Sequence, residues 1–342
     1  MKKITITKRP EINYGSDFNS DLSLLFRRYN FSGQGAILIT GLESFKKTEY
    51  YSVLKNILIE NNINIVKETQ VDQNPILDQI REFKNVAIGA IIICVGGGSI
   101  IDFGKAIKLF FNKKAQIFAV YTLPGSASIV TPFAIFDNDE FKIGEHSEEI
   151  IPNYVYINED IILKTPIDLI KRGMFDILTH AIESFISKTS TKESRGYALK
   201  ALKYLDHFIE SDLTDNFLLI QADIFAGLSE KIGSVLFPHA MGHYLTYKYK
   251  IPHNLATMYF LEEFIALIQI RGFVIEENIL RLIRKFNVIF LRDYKKPLSL
   301  TDKDIRESYG LIEKYMPFIF VNNPVALTKN DYLTLYKRHE RN

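Results

Sequence analysis

Three of the chain's seven histidines fall within FPHAMGHYLTYKYKIPHN, residues 237–254, and imidazole is both a metal ligand and a proton carrier. His239 and His243 are four apart, so on a helix they share one face; His253 follows ten residues later, after Pro252. Upstream, FDILTHAIE sets Asp176 and His180 in the same four-residue relation. One carboxylate and imidazoles from separate segments form a suitable donor set for Zn²⁺ or Fe²⁺. No H-E-x-x-H is present, which speaks against a zinc protease. From the residues alone, a metal site and a set of ordinary helix-face side chains stay equally open. His146, His207 and His339 have no acidic or histidine partner in pattern and read as core or surface residues.

A second stretch able to do chemistry is VGGGSIIDFGKAI, residues 95–107, with three glycines between an apolar run and a helical one. Glycines there let a backbone approach a ligand, and the following helix start offers free N–H groups to a phosphate. The pattern is neither G-x-G-x-x-G nor G-x-x-x-x-G-K-S/T, so a tight turn and a dinucleotide cradle both fit it.

The elements that must position these residues alternate in the first part of the chain. GAILIT (35–40), NINIVKET (62–69), AIGAIIICV (87–95) and QIFAVYTL (116–123) read as strands. Helical stretches follow them at about 43–61, from Pro75 to about Phe83, and at 100–111. This alternation predicts a parallel sheet flanked by helices. Beyond about Asn158 the 3.6-residue period takes over, at 167–188, 193–210, 217–247, 255–270 and 275–288. The expected class is α/β: an N-terminal parallel-sheet dinucleotide-binding domain, 1–157, followed by an all-helical metal and substrate domain, 158–342.

At 342 residues, two domains are the expectation. A net charge of +2 gives no electrostatic ground for nucleic acid or an anionic membrane as partner. The longest charge-free apolar run, Val86 to Ile101, holds four glycines and is shorter than the roughly 20 residues a membrane span needs. MKKITITKRP has no apolar core behind its lysines, so no signal peptide is expected. The single cysteine, Cys94, excludes an internal disulfide, fits a cytoplasmic setting and reads as a small buried hydrophobe.

Four pieces, in order, resemble the iron-containing (group III) alcohol dehydrogenases from about Ile12 to Glu263. GGGSIIDFGKA is similar to the family's GGGS-x-x-D-x-x-K-A loop, and TLPGSASIVTPFAIFD stands where the family has TTAGTGSEVT. GMFDILTHAIES resembles G-M-D-A-L-T-H-A-I-E, and PHAMGH with IPHN resembles H-x-M-A-H with P-H-G. The resemblance implies Asp176, His180, His239 and His253 as ligands of Fe²⁺ or Zn²⁺, with His243 in the proton relay. It implies contacts to NAD or NADP from Asn74, Gly97, Gly98, Ser99, Asp102, Lys105, Thr122, Leu123, Ser126 and Lys142. The reaction implied is metal-assisted hydride transfer between NAD(P)H and a small aldehyde or alcohol, in a homodimer.

Several positions depart from the family pattern. Ala127 replaces a glycine, Ile129 a glutamate, and Asn254 the glycine after His253. At Gly41 the family has an acid, which in dinucleotide folds holds the adenosine ribose. Its loss, with Lys46 and Lys47 close by, favours NADP, whereas Glu43 could restore the acid and NAD. A polyol or a phosphate- or phosphonate-bearing aldehyde as substrate, a dehydroquinate-synthase-like lyase, and a non-catalytic relative are the competing readings.

Overall fold

The computed structural model describes residues 1–6, 9–42, 45–86, 89–294 and 298–339. By Cα proximity the chain divides into Met1–Leu169 and Ile170–Asn342. That division lies twelve residues beyond the 157/158 boundary read from the sequence: the last strand is followed by a short helix that still belongs to the first unit.

In the first unit the elements run β1 (Lys2–Ile4), β2 (Glu11–Gly15), α1 (Phe18–Arg28), β3 (Gly35–Gly41), α2 (Glu49–Glu60), β4 (Asn64–Val71) and α3 (Leu77–Arg81). There follow β5 (Ile91–Gly96), α4 (Gly98–Phe111), β6 (Ile117–Tyr121), β7 (Phe133–Asp137), β8 (Lys142–His146), β9 (Tyr154–Asn158) and α5 (Glu159–Leu163). Seven strands form one sheet in the order β1-β2-β9-β6-β5-β3-β4, parallel throughout except for β1. β7 and β8 pair as a separate antiparallel hairpin.

Apolar residues on successive positions of β5 explain why it reads as one continuous hydrophobic run. Ile91, Ile93 and Val95 join Phe26 of α1 and Leu54 of α2 in one core. Cys94, on the opposite face, lies under Gly104 of α4. A parallel strand covered on both faces has no polar side to display. Cys94 is fully buried, as read from the sequence, and burial pushes its thiol up.

β4 precedes β5 in sequence, but β3 lies between them in the sheet, so the connections diverge at β3 and β5. In open α/β sheets, ligands bind beyond the strand carboxyl ends at such a divergence. Gly41 ends β3 there, and Gly97 to Ser99 open α4 directly after β5.

Lys105 of α4 is fully buried, with Nζ donating to the Thr131 and Phe133 carbonyls at 3.0 and 2.7 Å. Its ammonium also lies 3.4 Å from Asp102 Oδ1. Asp102 accepts a hydrogen bond from Ser128 Oγ and one from the Ile135 amide. These bonds fasten α4 to the 126–135 segment. Lys105→Met would strand a buried carboxylate and two carbonyls, at a cost of about 3–5 kcal/mol. The expected result is a marked fall in the urea midpoint of the sheet unit, read by circular dichroism.

The second unit is helical: α6 (Ile167–Ile186, begun in the last residues of the first unit), α7 (Lys192–Glu210), α8 (Asn216–Gly233), α9 (Phe237–Tyr249), α10 (His253–Ala256) and α11 (Leu261–Ile270). After these come α12 (Glu277–Asp293), α13 (Asp302–Tyr315), α14 (Phe318–Val321) and α15 (Lys329–His339). The 217–247 period read as one stretch is two helices, broken at Ser234, whose φ of 67° and ψ of 170° end α8. That backbone region is almost confined to glycine and costs a serine about 1–3 kcal/mol.

Candidate metal centre and dinucleotide loops

Asp176 and His180 project one turn apart from α6, and His239 projects from the first turns of α9. One donor atom from each of the three lies within 4.8 Å of the other two, and all three side chains are buried. The ring of His180 stacks on that of His239 at 4.4 Å. His253, first residue of α10, is not in this tight group, but its ring centroid is 5.4 Å from His239 and 5.0 Å from His243. It reaches them because Gly242 leaves room: a Cβ there would stand 2.8 Å from Thr257 Cγ2 and 3.2 Å from the Thr257 amide nitrogen. His243 is itself buried beside the group.

Two carboxylates that the sequence reading passed over support these imidazoles. Glu183 is fully buried and accepts from the Leu236 amide at 2.7 Å, the His239 amide at 3.1 Å and His239 Nδ1 at 2.9 Å. Leu236 is the N-cap of α9 and has no side chain able to cap it. Glu183 of α6 therefore does from outside what an Asp or Ser normally does from within: it satisfies the free amides of a helix start. It also fixes the ring of His239, so that Nε2 faces Asp176 Oδ1 at 3.6 Å. Glu183 stands three residues after His180 and seven after Asp176, on one helix face, and that spacing was the available signal. The second carboxylate is Glu230 of α8, 3.6 Å from His180 Nε2. Nothing in the sequence links it to α6.

Burial would raise Asp176, but the three imidazoles of His180, His239 and His253 hold it well below the usual carboxylate range. Burial pushes His180 down to about 4, so it is neutral at pH 7. Burial alone would also lower His239, but Glu183 and Asp176 outweigh it and raise the ring to about 10. Asp176 Oδ1, His180 Nδ1 and His239 Nε2 are buried without a hydrogen-bond partner among the described residues. Two buried carboxylates around buried, unsatisfied donor atoms fit a divalent cation, which would displace the His239 proton.

The dinucleotide candidates lie in the first unit, at or near the carboxyl ends of β3 to β6. A Cβ on Gly98 would stand 2.4 Å from Ser126 Oγ, so only glycine lets α4 start against the 122–128 loop. Gly97 lies similarly against Leu123, and Ser99 Oγ donates to the Gln73 carbonyl at 2.5 Å. The Thr122 amide donates to the Gly96 carbonyl at 3.2 Å. Lys142 is brought in by the β7–β8 hairpin, with Nζ 2.9 Å from Asn74 Oδ1 and 3.6 Å from Asp137 Oδ1. Asp102 and Lys105 turn inward, to the bonds described above. Ala127 adopts a φ of 53°, the left-handed region that glycine occupies without strain.

Gly41 accepts a long hydrogen bond, 3.4 Å, from Gln70 Nε2. Lys46 is 3.0 Å from Glu68 Oε1, and Lys55 is 2.9 Å from Glu68 Oε2. Burial would raise Glu68, yet Tyr51, Lys55 and Lys46 hold it down to about 2. Glu43 lies outside the described residues.

Two family profiles match the chain: "Iron-containing alcohol dehydrogenase" over residues 10–159, and "Fe-containing alcohol dehydrogenase family, C-terminal" over residues 170–288. The chain belongs to the iron-containing alcohol dehydrogenase family. It is 21% identical to an alcohol dehydrogenase of Thermococcus barophilus over 88% of this chain and 91% of that protein. It is 29% identical to the 1,3-propanediol dehydrogenase of Citrobacter freundii over 66% of this chain and 65% of that one. Against the bifunctional aldehyde-alcohol dehydrogenase AdhE of Escherichia coli, it is 25% identical over 60% of this chain and only 27% of the relative. Among solved structures, an archaeal halo-thermophilic alcohol dehydrogenase from a Red Sea brine pool superposes with a TM-score of 0.82. That likeness, at 20% identity, covers 99% of this chain and 100% of the other and shows the shared fold.

Glu183 generates a direct prediction. Glu183→Ala removes both the cap of α9 and the bond that orients His239. Metal affinity, measured by competition with a chromophoric chelator, is expected to fall about 10–100-fold. Undiminished affinity would show that the ring is oriented by something else.

Proposed function

We propose that the protein is a metal-dependent oxidoreductase that moves a hydride between NADP(H) and a small alcohol or aldehyde. The observation that carries this reading is the convergence of Asp176, His180 and His239 within 4.8 Å. Together with the neighbouring His253 they would hold the metal, Fe²⁺ or Zn²⁺, which when bound supplies Lewis acidity toward a substrate oxygen. Asp176 contributes the negative charge of the donor set. Glu183 keeps the His239 ring turned with Nε2 inward. His243, buried beside His253, gives or takes the proton at the substrate oxygen. Gly97, Gly98 and Ser99 offer the start of α4 to the dinucleotide phosphates, with Thr122, Leu123, Ser126, Asn74 and Lys142 around them.

Relatives named for 1,3-propanediol support a short alcohol or diol as substrate class. The preference for NADP rests on Gly41, which places no carboxylate at the end of β3 to repel a 2′-phosphate. Lys46 adds little, because Glu68 already holds its ammonium. Steady-state kcat/KM with NADPH and NADH, over a panel of short aldehydes, tests both parts. A higher value with NADPH is expected; a clear advantage for NADH would show that another residue supplies the missing acid.

His243→Ala is expected to retain its metal and fold while turnover falls about 10²–10⁴-fold. Elemental analysis and kcat, measured on the same preparation, separate this from a packing role, which would lower the melting temperature and leave kcat near normal.

A further inference from the structure

At the amino ends of the strands, opposite the loops that open α4, the first unit buries a cation with nothing to hold it. Lys108, in the last turn of α4, is only 5% exposed. Its Nζ makes no hydrogen bond and no ion pair among the described residues. Lys105, about one turn earlier on the same helix, is just as buried but is held by two carbonyls and Asp102. Beside Lys108, α4 packs against the turn Glu148–Ile150. Arg9, just before β2, clasps that turn: Nη2 donates to the Glu149 carbonyl at 3.0 Å, the Ile151 carbonyl at 2.5 Å and Asn153 Oδ1 at 3.2 Å. Two groups act on the Lys108 charge besides burial, Arg9 against it and Glu149 in its favour. Burial first, then Arg9, lowers the amine to about 8. Near neutral pH a sizeable share of it is unprotonated, whereas an ordinary surface lysine has almost no free amine.

We propose that Lys108 is a carbamate site: its free amine takes up carbon dioxide, and the carbamate rests beside the Arg9 guanidinium. The nitrogen lone pair adds to the carbon of carbon dioxide, one C=O pair moves onto oxygen, and the N–H proton leaves to solvent. One C–N bond forms, nothing is oxidised or reduced, and a cation becomes an anion. Arg9 repels the ammonium and attracts the carbamate, so the same neighbour disfavours the starting state and favours the product. Glu149 pulls the other way, but it is exposed and water screens it. No existing bond of Nζ has to break, and the 5% that stays exposed includes Nζ, which a molecule as small as carbon dioxide can reach. The site lies among none of the residues assigned to metal, dinucleotide or proton transfer, and it stands whether or not that reading holds.

The test uses the full-length chain equilibrated with ¹³C-labelled bicarbonate near pH 8. A carbamate ¹³C resonance, separate from that of bicarbonate, is expected in wild type and absent in Lys108→Met and Lys108→Arg. Methylation with a trialkyloxonium salt traps the carbamate, and peptide mass spectrometry locates it. Lys113 and Lys114, exposed and close by in sequence, are internal controls. Lys108 is expected to carry about 10–100-fold more label than either, in line with its larger share of free amine. At fixed dissolved carbon dioxide the trapped fraction should grow as pH rises through about 8. The wild-type peptide map decides the matter even if Lys108→Met fails to fold. No adduct on Lys108, or equal labelling of Lys113 and Lys114, would overturn the proposal.

Discussion

A fully buried carboxylate governs the helical unit. Glu183 could not stay charged where it sits without donors, since a buried unpaired anion costs several kcal/mol. Its donors are the amides at the start of α9 and the ring of His239. One group thereby sets where α9 begins, how it is docked on α6, and which nitrogen of His239 looks inward. Asp176, about two turns before it on α6, repeats the demand for positive charge. The two anions and the imidazoles between them make a centre whose electrostatics are completed by a cation.

The same region stores strain. Between α8 and α9 the chain turns through Ser234, held in a conformation that suits glycine. Gly233 beside it presses against α6, where an added Cβ would stand 2.5 Å from the Ser184 carbonyl oxygen. The packing of α8 against α6, which brings Glu230 toward His180, and the direction of α9, which carries His239, are both set at this junction. A strained residue persists only where surrounding contacts outweigh its cost, and here Glu183 supplies several of them.

Much of this was legible in the residues. β3, β5 and β6 announce themselves because strands covered on both faces are apolar at every position, and α6 and α7 because their 3.6 period is regular. β1, β2, β7 and β8 were not read: Lys142–His146 mixes charge, glycine and a single isoleucine, and its strand form comes from pairing with Phe133–Asp137. β9 was hidden by its shortness, although YVYIN completes the sheet between β2 and β6. The helices beyond Asp293 escaped because α13 and α15 are largely polar. At the centre, the four-residue spacings marked Asp176, His180, His239 and His243, with His253 ten residues on, and family resemblance set His243 apart from the implied ligands. Glu230 was invisible in principle, since its approach to His180 is a contact between helices 50 residues apart in sequence. Lys105, which the resemblance sets among the cofactor contacts, also donates to the Thr131 and Phe133 carbonyls, bonds that no spacing in the sequence foretells.

Cys94 lies in β5 near the middle of the sheet, with α4 over it, and it is the chain's only thiol. A soluble thiol reagent meets it only when α4 parts from the sheet, so the reaction rate follows the opening of that one unit. The chain thus carries a chemical clock for half of its own structure, running without any label having to be introduced.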